Sequence, residues 1–138
     1  MTTIEASTTI NAPSDKVWEI VSDIDNESKF WKGTKSIQNI SKEGNVVVRE
    51  VTIAFKDSKC MQKVTLYPKE KIVGEFIEGI LNGTKTIKLI PQQGITRLEA
   101  VWDIKLSGMM GMFTGMVKKH IKNGTEQALE SIKQEIEK

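Results

Sequence analysis

The C-terminal segment constrains the rest of the chain. From about Gly111 to Glu137 there is no proline, and Phe113, Met116, Val117, His120, Ile121, Gly124, Ala128, Ile132 and Glu135 fall roughly along one stripe at helical spacing. Lysines and glutamates fill most of the remaining helix surface. An amphipathic helix of this length must lay its stripe on something. The segments before it read as strands, so the partner large enough is a sheet.

Those strands follow from pattern and punctuation. Ser36–Ile40, Val46–Phe55, Lys59–Tyr67, Lys71–Ile80, Thr84–Ile90 and Ile95–Leu106 are separated by turn residues such as Lys42-Glu43-Gly44-Asn45, Lys56-Asp57-Ser58, Pro68-Lys69-Glu70 and Pro91-Gln92-Gln93-Gly94. Asn82-Gly83 is the strongest hairpin signal of the set. Short connections imply an antiparallel meander. In the last strand Leu98, Ala100, Trp102, Ile104 and Leu106 share one face, while Arg97, Glu99, Asp103 and Lys105 share the other, with Val101 the exception. Such a strand has one face on a core and one in water. Strand 46–55 has a mixed phase, and so does 84–90.

At the N-terminal end, Thr3–Ile10 alternates with Ile4, Ala6, Thr8 and Ile10 on one face. Asn11-Ala12-Pro13-Ser14 breaks this strand, and Asp15–Ile24 carries Val17, Trp18, Ile20, Val21 and Ile24 at helical spacing. A second short helical stretch is expected at Glu27–Trp31, ending near Gly33. The order predicts an α+β domain over 1–138: a curved antiparallel seven-stranded sheet wrapped around a long C-terminal helix, with two short helices after the first strand.

The 138 residues suit one domain able to bury a core without metals or disulfides. A net charge of +2 gives no electrostatic case for a nucleic-acid partner. Cys60 is the single cysteine, which rules out an intrachain disulfide and fits a reducing cytoplasm. The first residues show neither a basic nor an apolar signal region, and no apolar run is long enough to span a bilayer. With no export signal, the Asn-X-Ser/Thr triplets at Asn26, Asn39, Asn82 and Asn123 are read as chance matches.

The opening Ile4-Glu5-Ala6-Ser7-Thr8-Thr9-Ile10-Asn11-Ala12-Pro13, followed by Val17-Trp18, resembles the start of the START-like helix-grip (SRPBCC) superfamily. This group includes lipid-transfer domains, polyketide cyclase/dehydrase proteins and coenzyme-Q-binding proteins. Phe30-Trp31 resembles the aromatic after the second short helix of relatives. Pro68, the Gly79 region, Asn82-Gly83 and the closing helix sit in the expected order. The resemblance covers the whole chain and implies a ligand cavity between sheet and final helix. Where relatives often carry an aromatic after the glycine hairpin, this chain has Thr84, Thr86 and Ile87.

The residues expected to line that cavity are Trp31, Phe76, Trp102, Ile104, Met109, Met112, Phe113, Met116, Val117 and His120. Trp102 leads because alternation fixes its face. Met109, Met110, Met112 and Met116 cluster with Phe113, and flexible methionines suit an adaptable binding surface. Gly108, Gly111 and Gly115 would let this entry to the helix act as a gate. Gly124, in mid-helix, costs roughly 1 kcal/mol relative to alanine, so a kink or a close helix–sheet contact is expected there. His120 is the only histidine, expected on the inner face as a hydrogen-bonding or acid/base group. Glu50, Glu75 and Glu78 are candidate inward carboxyls.

No Gly-X-Ser-X-Gly elbow, phosphate loop or metal-ligand spacing is present, so neither a cofactor nor a metal is implied. The leading expectation is therefore binding of a hydrophobic small molecule (lipid, isoprenoid or polycyclic) for transport or sequestration, more a container than an enzyme. A cyclase/dehydratase using His120 or an inward Glu is the alternative, and a cochaperone-like protein-binding domain is the weaker one.

Overall fold

The computed structural model describes residues 2–106, 111–112 and 114–138. The strands are β1 (Thr2–Ile10), β2 (Thr34–Glu43), β3 (Val46–Ile53), β4 (Lys59–Tyr67), β5 (Lys71–Gly79), β6 (Leu81–Gln92) and β7 (Ile95–Leu106). They form one antiparallel sheet in the order β1-β7-β6-β5-β4-β3-β2. Helix α1 (Ser14–Val21) and a 3-10 helix (Ile24–Lys29) follow β1, and the long helix α2 (Thr114–Glu137) follows β7. This is the α+β helix-grip architecture that the element order predicts.

Helix α2 runs along the edge strand β1. The Lys122 and Lys133 ammonium groups donate to the Glu5 and Thr9 carbonyls, and the Asn11 amide donates to Glu137. These contacts satisfy carbonyls that an uncovered sheet edge would leave as a template for another strand. At this end the core is closed: Ile10, Val17, Leu98, Ala100, Ala128, Leu129 and Ile132 are at most 2% exposed. Fully burying one large aliphatic side chain contributes about 1.5–3 kcal/mol, so this cluster is what fastens the helix to the sheet.

Two expectations are corrected. Asn82-Gly83 is not a turn. The chain reverses at Gly79–Ile80, while Asn82 and Gly83 lie inside β6, paired with Lys105 and Ile104. Gly83 has φ +118°, and a Cβ there would sit 2.0 Å from the Asp103 carbonyl oxygen. The glycine is required by a close strand approach rather than by a reversal.

The buried line of α2 is also displaced from the expected stripe. It runs through Val117, Thr125, Ala128, Leu129 and Ile132, leaving Met116 and His120 exposed. Thr125 holds this line because its hydroxyl donates to the Ile121 carbonyl at 2.7 Å and accepts from Trp102 Nε1 at 3.0 Å. The stripe expected from spacing passes over this threonine.

Candidate functional site

Towards its N-terminal end α2 lifts from the sheet over a cavity of about 580 Å³. That lies within the roughly 300–1,000 Å³ typical of small-molecule sites. Trp31, Phe76, Trp102, Val117, Ile121 and Leu81 form apolar wall, and Gly33, Ala54 and Phe55 contribute from the loops around β2 and β3. Phe76 stacks on Trp102 with centroids 6.0 Å apart, and Trp31 meets Trp102 edge-on at 6.3 Å.

Cross-strand register builds this wall. Ile4, Trp102, Lys85, Gly74, Val64 and Val47 stand opposite one another in turn across β1, β7, β6, β5, β4 and β3. Arg49, Gln62, Phe76, Gly83 and Ile104 form a neighbouring row. Both rows face inward, so three polar side chains enter an otherwise apolar interior.

Arg49 is 2% exposed and fully engaged. Its Nε donates to Gln62 at 2.9 Å, one terminal nitrogen donates to the Ile24 carbonyl at 3.0 Å, and the other pairs closely with Glu27. Gly74 makes room for the Gln62 carboxamide, because a Cβ at position 74 would come within 2.7 Å of its nitrogen. Lys85, 8% exposed, places its ammonium 3.3 Å from the Trp31 ring centroid and 5.0 Å from that of Trp102. Its ion pair with Glu27 spans 3.7 Å, beyond hydrogen-bond length. Burial pulls the Lys85 pKa down to about 8, a fall that nearby Arg49 adds to and Glu27 opposes. The same cluster borders a second space of about 40 Å³ on the side of α1, large enough for water.

The expected lining residues are distributed as follows. Trp31, Phe76, Trp102 and Val117 lie on the cavity wall. Ile104 is packed into the adjoining core with Ile4, Cys60, Phe76 and Leu81, so it supports the wall without lining it. Met112 and Met116 are 80% and 56% exposed and are not on the wall, which corrects their assignment. Helix phase turns Met116 outward, one position before buried Val117. Met109, Met110, Phe113 and Gly108 lie outside the described residues, and with them most of the expected gate.

His120 borders the cavity from the rim and is exposed there, not buried on the inner face. Glu50 lies in opposite phase to inward Arg49 and Val51 and pairs with Lys59 at 3.6 Å, while Glu75 and Glu78 are exposed. The expected convergence of His120 with one of these carboxyls is therefore not formed. Gly124 lines the cavity, with nothing within 4 Å of an added Cβ. Its role is to leave space, not to permit a close contact.

Glu27, Arg49, Gln62 and Lys85 were missed by the sequence reading. For three of them a signal exists: Arg49 is in phase with Val47 and Val51, Gln62 with Cys60 and Val64, and Lys85 with Ile87 and Leu89. Glu27 sits in a 3-10 helix and has no such periodicity to betray it. Cys60 is buried, which pushes its thiol pKa up and leaves it poorly reactive. Among the described residues no group of three His, Cys, Asp or Glu side chains could hold a metal, and no helix is long and apolar enough to cross a membrane.

The chain belongs to the family described as polyketide cyclase/dehydrase and lipid transport, whose sequence profile matches residues 1–137. No curated protein matches it in a sequence search. Among solved structures it is similar to a Thermus thermophilus protein at 16% identity and a TM-score of 0.84, covering 98% of this chain and 97% of the other. It is likewise similar to the Zhui aromatase/cyclase of a Streptomyces strain, at 16% identity and a TM-score of 0.83, covering 99% and 93%. A START superfamily protein from Mycobacterium smegmatis matches at 16% identity and a TM-score of 0.67, covering 94% and 98%. At these identities the likeness is one of fold.

Proposed function

We propose that the chain acts as one domain that holds an apolar small molecule (a lipid, an isoprenoid or a polycyclic compound) between the sheet and α2, for transport or sequestration in the cytoplasm. The observation that carries this reading is the cavity of about 580 Å³ walled by Trp31, Phe76, Trp102, Val117 and Ile121. Burying apolar ligand surface there contributes roughly 25 cal/mol per Å² before ordering costs. No catalytic group is needed for affinity of that kind. Native mass spectrometry of protein purified from its own source tests it. The expected result is a co-purifying apolar molecule, and a protein that is empty and also ignores a broad panel of neutral lipids and polycyclic compounds would sink the reading.

A cyclase/dehydratase activity is the second reading, and one observation favours it. A carboxylate and two cations, Glu27, Arg49 and Lys85, stand on the cavity wall. In this version Glu27 replaces His120 and the outward glutamates as the proton-transfer group. Turnover of a linear poly-β-ketone by the wild-type protein, lost in Glu27→Gln with the fold retained, is the result expected of an enzyme.

A further inference from the structure

The charged groups on the cavity wall do not balance. Glu27 supplies one negative charge, and Arg49 and Lys85 supply two positive ones. Arg49 takes the close pair with Glu27 and directs its other donors to Gln62 and the Ile24 carbonyl. Lys85 is left as the surplus cation. It faces two indole rings and, at 3.7 Å, the second oxygen of the Glu27 carboxylate that it shares with Arg49. Cation–π contact stabilises an ammonium only in part. A buried charge without a full counter-charge is unfavourable, and one added negative group beside it would neutralise the cluster.

We infer that the cavity takes an amphiphile with one negative charge, a monocarboxylate on an apolar body, whose carboxylate pairs with Lys85 while its body lies against Trp31, Phe76 and Trp102. The inference rests on the cavity-binding reading above and adds the ligand's charge to it. The count of charges selects a monoanion. A neutral ligand leaves Lys85 uncompensated, and a dianion such as a phosphate monoester leaves an excess negative charge in a buried site. Depth gives the orientation. Glu27, Arg49, Gln62 and Lys85 form the sheltered inner wall, whereas His120, Asn123 and Gln127 on the same cavity are exposed at the rim. The carboxylate therefore points inward and the apolar end towards the opening.

Calorimetry on the full chain with pyrenebutanoate, its methyl ester and pyrenebutyl phosphate tests this. The carboxylate is expected to bind at least about 10-fold more tightly than the ester, as a charge-assisted hydrogen bond allows. In Lys85→Met that preference collapses while ester binding persists. The wild-type protein supplies a second readout that needs no variant. With the Lys85 pKa lowered to about 8, the free site is only partly protonated near that pH. An arriving carboxylate raises that pKa, so binding is accompanied by proton uptake, and the ester takes up none. The groups that set the balance are Glu27 on the 3-10 helix, Arg49 on β3, exposed Asp23 at the edge of the smaller adjoining space and, at the rim, His120 on α2; Gln62 on β4 and Trp102 on β7 carry no charge. Equal affinities for carboxylate and ester, or tighter binding of the phosphate, would overturn the charge assignment and leave the apolar cavity reading intact. Failure of all three probes, together with a panel of neutral apolar molecules, would bring down both.

Discussion

The two halves of α2 do different things on the same sheet. Its C-terminal half is shut against the core, with Ala128, Leu129 and Ile132 at most 2% exposed. Its N-terminal half spans a hollow, with Val117, Ile121 and Gly124 along the cavity and His120 at its edge. The closed half uses aliphatic residues from α1, β1 and β7, which pack around it as one buried cluster. The hollow half is walled by aromatic rings and a charged cluster, and at Gly124 the helix presents no side chain at all. One half therefore carries the apolar packing that fastens the helix, which frees the other to remain open.

Substitutions should separate these halves, and the largest effect is expected in the polar wall of the hollow. Glu27→Gln leaves Arg49 and Lys85 buried together without a carboxylate and is expected to cost about 3–5 kcal/mol, measured by urea unfolding. In the closed half Leu129→Ala removes a side chain that is 1% exposed. It is expected to cost about 2–5 kcal/mol, while Ile121→Ala, at a half-buried residue that lines the cavity, should cost clearly less. A helix packed equally along both halves would give equal losses, and the comparison would fail.

Lys85 sharpens the comparison through pH. Its folded pKa of about 8 lies below its ordinary 10.5, so between those values the unfolded chain binds more protons at this site. Stability contributed by Lys85 therefore rises with pH across that window, by on the order of 3 kcal/mol in all. Lys85→Met should be at least as stable as wild type at pH 7, since it leaves Arg49 and Glu27 as a balanced pair. The gap between the two proteins should shrink or reverse as pH approaches 10.5. A gap that stays constant across the window from the folded to the ordinary pKa would contradict this account.

Gly124 gives a smaller effect of opposite sign. Gly124→Leu places its side chain where an added Cβ meets nothing within 4 Å. It should raise the melting temperature, through a helix-propensity gain of up to about 1 kcal/mol, while weakening binding of every cavity ligand. The smallest effect is expected for His120→Ala, within about 0.5 kcal/mol in unfolding experiments, as befits an exposed side chain.

Much of this fold is legible in the sequence because periodicity reports directly on burial. The alternation in β7 gives the face of Trp102, and the spacing in 111–137 gives a helix that must find a sheet. The same logic could have found Arg49, Gln62 and Lys85, since each falls in the apolar phase of its strand. A charged residue in that phase is easily set aside as an irregularity in the pattern, when it marks where polarity enters the core. Asn82-Gly83 misleads for a different reason. A glycine serves a turn and a tight strand approach equally well, and only the position of the Asp103 carbonyl distinguishes them.

The element order, the antiparallel meander and the need for the last helix to cover the sheet all follow from periodicity and turn residues along the chain. Tertiary structure alone decided that Glu27 meets Arg49 and Lys85, because those residues come from a 3-10 helix and two strands that are not neighbours in the sheet. It also decided that His120 stands at the rim and that Gly124 opens onto empty space. A local pattern records which side of an element is buried. It does not record which distant charges share that burial, and here that sharing leaves one cation facing the cavity.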